Sequence, residues 1–153
     1  MGCFPVSSLL SEDLYADAEI VAKCNVLGAE EKETESKTLK MNGFEISCPT
    51  VTVNFDVLSI KKGFLPSRIT LNLYRFPTLK ELEKSVGFND ARGLVLEYLR
   101  NPNLIRSLYI PRPGESYTVY LKYSDDSLAV EPATGFPDHM DSVVWDQEIT
   151  GNH

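Results

Sequence analysis

The chain has 153 residues, and its 22 acidic and 15 basic side chains leave a formal net charge of −7. Affinity for nucleic acid comes mostly from neutralising phosphates, so that balance excludes nucleic acid as the expected partner. The apolar fraction of 42% and charged fraction of 24% suit an ordinary globular domain, and no stretch approaches the roughly 18 apolar residues of a membrane span.

In chain order, Ser8–Tyr15 reads as a short helix with Ser11 as its cap. A first strand spans about Asp17–Leu27. The polar, charged stretch Gly28–Lys37 then reads as a solvated hairpin loop. A second strand, Ser47–Lys61, places Val51, Val53, Phe55 and Val57 on one face before slipping to Leu58 and Ile60. Such a change of parity is what a β-bulge produces. Lys62-Gly63-Phe64-Leu65-Pro66 makes a turn into a third strand, Arg68–Arg75, with Ile69, Leu71 and Leu73 inward. The basic cluster Lys61, Lys62 and Arg68 reads as the solvated end of that hairpin.

Thr78–Asn101 is helical. Thr78 and Glu81 have the spacing of a capping box, Gly87 closes a first helix, and Asn89 or Asp90 caps a second that carries Leu94, Leu96 and Leu99. Asn101-Pro102 ends it. A fourth strand, Ser116–Tyr123, and a fifth, Ser127–Pro132, flank a tight turn at Asp125-Asp126. From about residue 133 the tail is irregular, with Val143, Val144 and Trp145 as its anchor. The expectation is one domain over residues 1–153.

Three strands, a helical insertion and two more strands is the element order of the five-stranded Greek-key barrel known as the oligonucleotide/oligosaccharide-binding (OB) fold. The expected class is mainly β, an OB-like barrel with a helical insertion between strands 3 and 4. That architecture serves many unrelated functions, so fold alone assigns none.

Chemistry is sparse. The three cysteines make no disulfide framework. Alternation points Cys24 inward and Cys48 outward, so a bridge between them needs a bulge. No phosphate loop, nucleophile elbow, Cys-x-x-Cys or His-Glu-x-x-His pattern occurs. A divalent ion could take Asp138, His139 and Asp141 as ligands, with Asp146 as an optional fourth, and a metal-dependent hydrolase built on the first three is the alternative reading. A solvated polar loop explains the same residues. An outward Tyr120 with Tyr74 could form an aromatic binding platform, whereas Tyr117 has the opposite parity.

Three segments carry a resemblance. Tyr15-Ala16-Asp17-Ala18-Glu19-Ile20-Val21-Ala22-Lys23-Cys24 resembles the opening strand of bacterial domains similar to tissue inhibitors of metalloproteinases and netrin modules. Val53–Gly63 resembles their second strand, and Gly114–Leu121 their fourth. The resemblance implies an OB-type, noncatalytic module that binds another protein, without a cofactor, in an extracytoplasmic setting. In the inhibitors, an N-terminal Cys-x-Cys chelates the target's zinc. Cys3 matches the first cysteine, but Pro5 stands where the second should be and Met1-Gly2 precede Cys3, which removes the means of chelation. Cys3 is thus a binding candidate only in a metalloproteinase-inhibitor reading, or a lipid-anchor site where an upstream signal segment has been removed. Read as it stands, without a signal segment, the chain would be cytoplasmic.

Overall fold

The structure is a computed structural model that describes residues 13–101, 110–124, 129–136 and 138–146, without the side chains at 33 and 34. Cys3, Ser11, Pro102 and the Asp125-Asp126 turn lie outside the described residues.

Residues 13–17 are helical (α1). Two long strands follow, β1 (Ile20–Met41) and β2 (Phe44–Lys62), then β3 (Arg68–Tyr74), α2 (Leu79–Val86), α3 (Phe88–Arg100), β4 (Ser116–Tyr123), β5 (Val130–Pro132), a 3₁₀ turn (His139–Ser142) and β6 (Val143–Trp145). The sheet is antiparallel in the order β3-β2-β1-β4-β5, with β6 also paired to β4. Its six strands do not close into a barrel: β3 and β5 pack side by side without pairing. Among the described residues, no helix is long and apolar enough to cross a membrane.

The expected loop Gly28–Lys37 is instead strand. The hairpin turns at Asn42-Gly43, where φ is 51° and 84°. Two successive positive φ values are what a two-residue type I′ turn requires, and Asn-Gly is its favoured pair. Charged side chains do not prevent pairing here, because the ladder uses backbone groups and the flanking residues project into water.

Register shifts bend the hairpin. Lys23 lies opposite Ser59 and Cys24 opposite Val57, which leaves Leu58 unpaired and sets the expected bulge there. The apolar residues from the bulge onward do not turn inward, however: Leu58 and Ile60 are 51% and 41% exposed. The buried face of β2 changes earlier. Ile46, Cys48 and Thr50 are buried up to that point, and Val51, Val53 and Phe55 after it.

That change reflects two cores on opposite faces of the sheet. Val53, Phe55, Leu71, Leu73, Val119 and Leu121 belong to the main core inside the coiled sheet. Ile46 and Cys48 instead meet Leu82, Ala91 and Leu94 beneath the helices. Cys48 therefore points away from the main core, yet α2 and α3 cover it completely, which corrects the expectation of an exposed thiol. Cys24 is buried in the main core as expected, and both thiols are free.

The insertion is held at its start. Thr78 and Glu81 form the capping box, and Gly87 (φ 93°) ends α2 by donating to the Glu83 carbonyl. Gly87 is also the N-cap of α3, with no side-chain cap, so neither Asn89 nor Asp90 takes that role. Arg75, just past β3, donates to Glu31 through Nε and Nη2 (3.1 and 2.7 Å) and to Glu81 through Nη1 and Nη2 (2.9 and 3.0 Å). One guanidinium thus ties the long hairpin to the first turn of α2.

At the other end of the core, β6 pairs with Tyr117–Val119 of β4 and packs Val143 and Trp145 into the main core, anchoring the tail. Lys62 donates to the carbonyls of Tyr15 and Ala16. It thereby satisfies acceptors that the end of α1 leaves open.

Candidate functional site

The seam between β3 and β5 carries the feature of greatest chemical interest. Cross-strand register places Lys32, Thr50 and Tyr74 in one row, Glu30, Thr52 and Asn72 in the next, and Gly28, Asn54 and Thr70 in a third. These rows share the outer face of β1, β2 and β3. Where the helices cover that face its residues are apolar, as at Ile46 and Cys48. Beyond the helices they become Thr52, Asn54, Thr70 and Asn72. Thr52 donates to Asn72 Oδ1 (3.2 Å) and Thr70 to Asn54 Oδ1 (2.7 Å).

A groove of about 490 Å3 runs over this polar floor to β5, with Lys32, Lys37 and Lys122 along it and Tyr74, Phe136 and His139 at one end. Its size lies within the usual range for ligand sites, roughly 300–1,000 Å3. The edge of β3 contributes backbone as well. Arg75 N–H donates to the Pro49 carbonyl and the Ser67 carbonyl accepts from Val57 N–H, so residues 67 and 75 face β2. Alternation then turns the N–H and C=O of Thr70, Asn72 and Tyr74 toward the seam. Tyr74 N–H does face that way, donating to His139 Nε2 at 3.0 Å.

That bond settles the chemistry of His139. Nε2 accepts, so the neutral ring carries its proton on Nδ1, and its free lone pair is already engaged. The ring is 2% exposed, stacked on Phe136 and set edge-on to Tyr74. Asp138 is exposed and Asp141 half-buried in the same turn. Asp146 lies apart on the β4 side, accepting from Thr118 (3.0 Å) and pairing with Lys23 (3.7 Å). Among the described residues, no three histidine, cysteine or acidic groups come close enough to hold a metal ion.

The two tyrosines proposed as a platform are separated. Tyr74 lines the groove, whereas Tyr120 is buried with Leu14, Ala18 and Val21 beneath α1. Outward parity did not mean exposure, because α1 covers that face. Burial pushes the phenols of both up, with Glu35 and Glu131 adding to the effect at Tyr74 and Asp146 at Tyr120. Burial likewise pushes the Cys24 and Cys48 thiols up to about 12. Neither thiol is a thiolate at neutral pH, so neither is an activated nucleophile. The arrangement is suited to binding through charge and hydrogen bonds.

Sequence reasoning singled out Tyr74 as half of an aromatic platform and His139 as a metal ligand, not as parts of this groove, and it missed Lys32 and Lys37 because it treated the stretch carrying them as a loop. Thr70 and Asn72 were legible as the outward complement of Ile69, Leu71 and Leu73. Neither a protein-family model nor a curated protein matches the chain.

Proposed function

We propose that this chain is a noncatalytic binding module of the OB type, which seats part of a protein partner in the groove between β3 and β5. The observation that carries the reading is the groove itself, where a sheet edge, a hydroxyl- and amide-lined floor and three lysines converge. Supporting the OB assignment, β4 lies beside β1 in the order 4-1-2-3 that defines a Greek key, and the helical insertion falls between strands 3 and 4. The open seam suits the partly open character of that barrel. The resemblance to metalloproteinase-inhibitor and netrin-type domains accords with a binding role.

Fragment mapping by amide NMR tests the seat independently of any particular ligand. Small polar fragments should shift the amides of Thr70, Asn72, Tyr74, Val130 and Phe136 together. Shifts gathered on another surface, or scattered over the sheet, would refute the assignment.

A further inference from the structure

We infer that the groove recognises an acidic, extended peptide segment of its partner. The inference rests on the groove being the binding seat, and it adds the chemistry of what sits there. Across the whole chain acids outnumber bases, 22 to 15, whereas the groove is lined by Lys32, Lys37 and Lys122 against the single acid Glu131. The lining therefore carries an excess of positive charge, which Glu35, paired with Lys32, reduces without reversing. At physiological salt the screening length is about 8 Å, so a ligand in the groove responds to those lysines more than to distant carboxylates.

The cations are also available. Lys37 forms no ion pair among the described residues, and the other two hold loose, exposed ones, Lys32 to Glu35 at 3.9 Å and Lys122 to Glu131 at 3.4 Å. Exposed pairs of this kind contribute little, so incoming carboxylates exchange for them at small cost.

The floor and edge select the form of the ligand. Of the seam-facing groups of β3, the Tyr74 N–H is already given to His139, which leaves to a ligand those of Thr70 and Asn72 and the Tyr74 carbonyl. Those groups of Thr70 and Asn72 alternate as the donors and acceptors of an extended backbone do. Thr52, Thr70 and Asn72 supply further polar contacts, and Tyr74, Val130, Pro132 and Phe136 supply apolar ones.

The probe is a fluorescein-labelled peptide of alternating glutamate and serine, eight residues long, compared with its glutamine counterpart by fluorescence anisotropy and amide NMR on the full chain. The acidic peptide should bind saturably and shift Thr70, Asn72 and Tyr74, and the glutamine peptide should bind about tenfold more weakly. K37E should weaken the acidic peptide by about tenfold, and K37A by a few-fold. Lys37 is exposed, so circular dichroism should show both variants folded. Equal binding of both peptides in the groove overturns the charge selectivity and leaves the seat intact. Shifts outside the groove with no effect of K37E overturn both. Glucuronate or inorganic phosphate shifting the groove amides while the acidic peptide does not would overturn the peptide assignment in favour of a small anion. Failure of every probe overturns the acidic class, and the fragment mapping then judges the seat separately.

Discussion

Replacing Arg75 by methionine tests how the insertion is held to the sheet. The guanidinium makes two-pronged contacts with Glu31 and Glu81 and donates to the Phe76 carbonyl (3.1 Å). Its side chain is 20% accessible, but the carboxylates are 44% and 42% accessible, so solvent screens both pairs. Each pair then contributes roughly 0.5–1 kcal/mol, and the carbonyl bond about 1 kcal/mol, giving a loss of about 2–3 kcal/mol. For a chain of this length that lowers Tm by roughly 5–10 °C. The Arg75 hydrogen bonds are the largest cause holding the Glu81 carboxyl down, from 4.5 to about 2; burial opposes them, and the Thr78 amide adds a smaller lowering. A carboxylate depressed in the folded state contributes stability that is present above the unfolded value and lost as pH falls through the folded one. The gap in Tm between wild type and Arg75→Met should therefore be full near pH 7 and shrink between pH 4.5 and 2. Thermal melts followed by circular dichroism at several pH values read both effects. A Tm change under about 1 °C at pH 7, or a gap that stays constant down to pH 2, would refute the clamp.

Three further outcomes follow from particular residues. A Cβ at Gly63 would lie 2.6 Å from the Glu19 carbonyl oxygen at φ +79°, whereas Gly43 (φ +84°) faces open space. Gly43→Ala should cost roughly 1 kcal/mol and Gly63→Ala at least about 2, and urea midpoints in the reverse order would count against the close approach. His139→Phe keeps a ring against Phe136 and Tyr74 but leaves Tyr74 N–H without its acceptor, for a loss of about 1–3 kcal/mol in urea unfolding; an unchanged midpoint would show that the bond contributes nothing. In a Cys3→Ser background, Cys24 and Cys48 should resist a thiol reagent at pH 8 until urea is added, and rapid labelling of either in native protein would contradict their burial.

Much of the fold was legible because strand and cap signals are local. Ser116–Tyr123 forms the expected strand, the Thr78–Glu81 spacing is a capping box in fact, and the expected bulge falls at Leu58, although Leu58 and Ile60 do not turn inward. The Asn42-Gly43 turn was also a local signal, and it alone would have extended both hairpin strands through the charged stretch. The groove was much less legible. Its lysines come from β1 and β4, its floor from β2 and β3, and its end from the 3₁₀ turn. No spacing along the chain brings those segments together.

Period-two alternation thus determined which residues share a face: Ile69 with Leu71, Thr70 with Asn72, and Cys48 with Thr50. What lies over each face was decided only by tertiary packing, where α2 and α3 bury Cys48, α1 buries Tyr120, and the open seam exposes Thr70 and Asn72. The physical reason is that side-chain direction follows from backbone geometry within one strand, whereas solvent exclusion depends on elements distant in sequence.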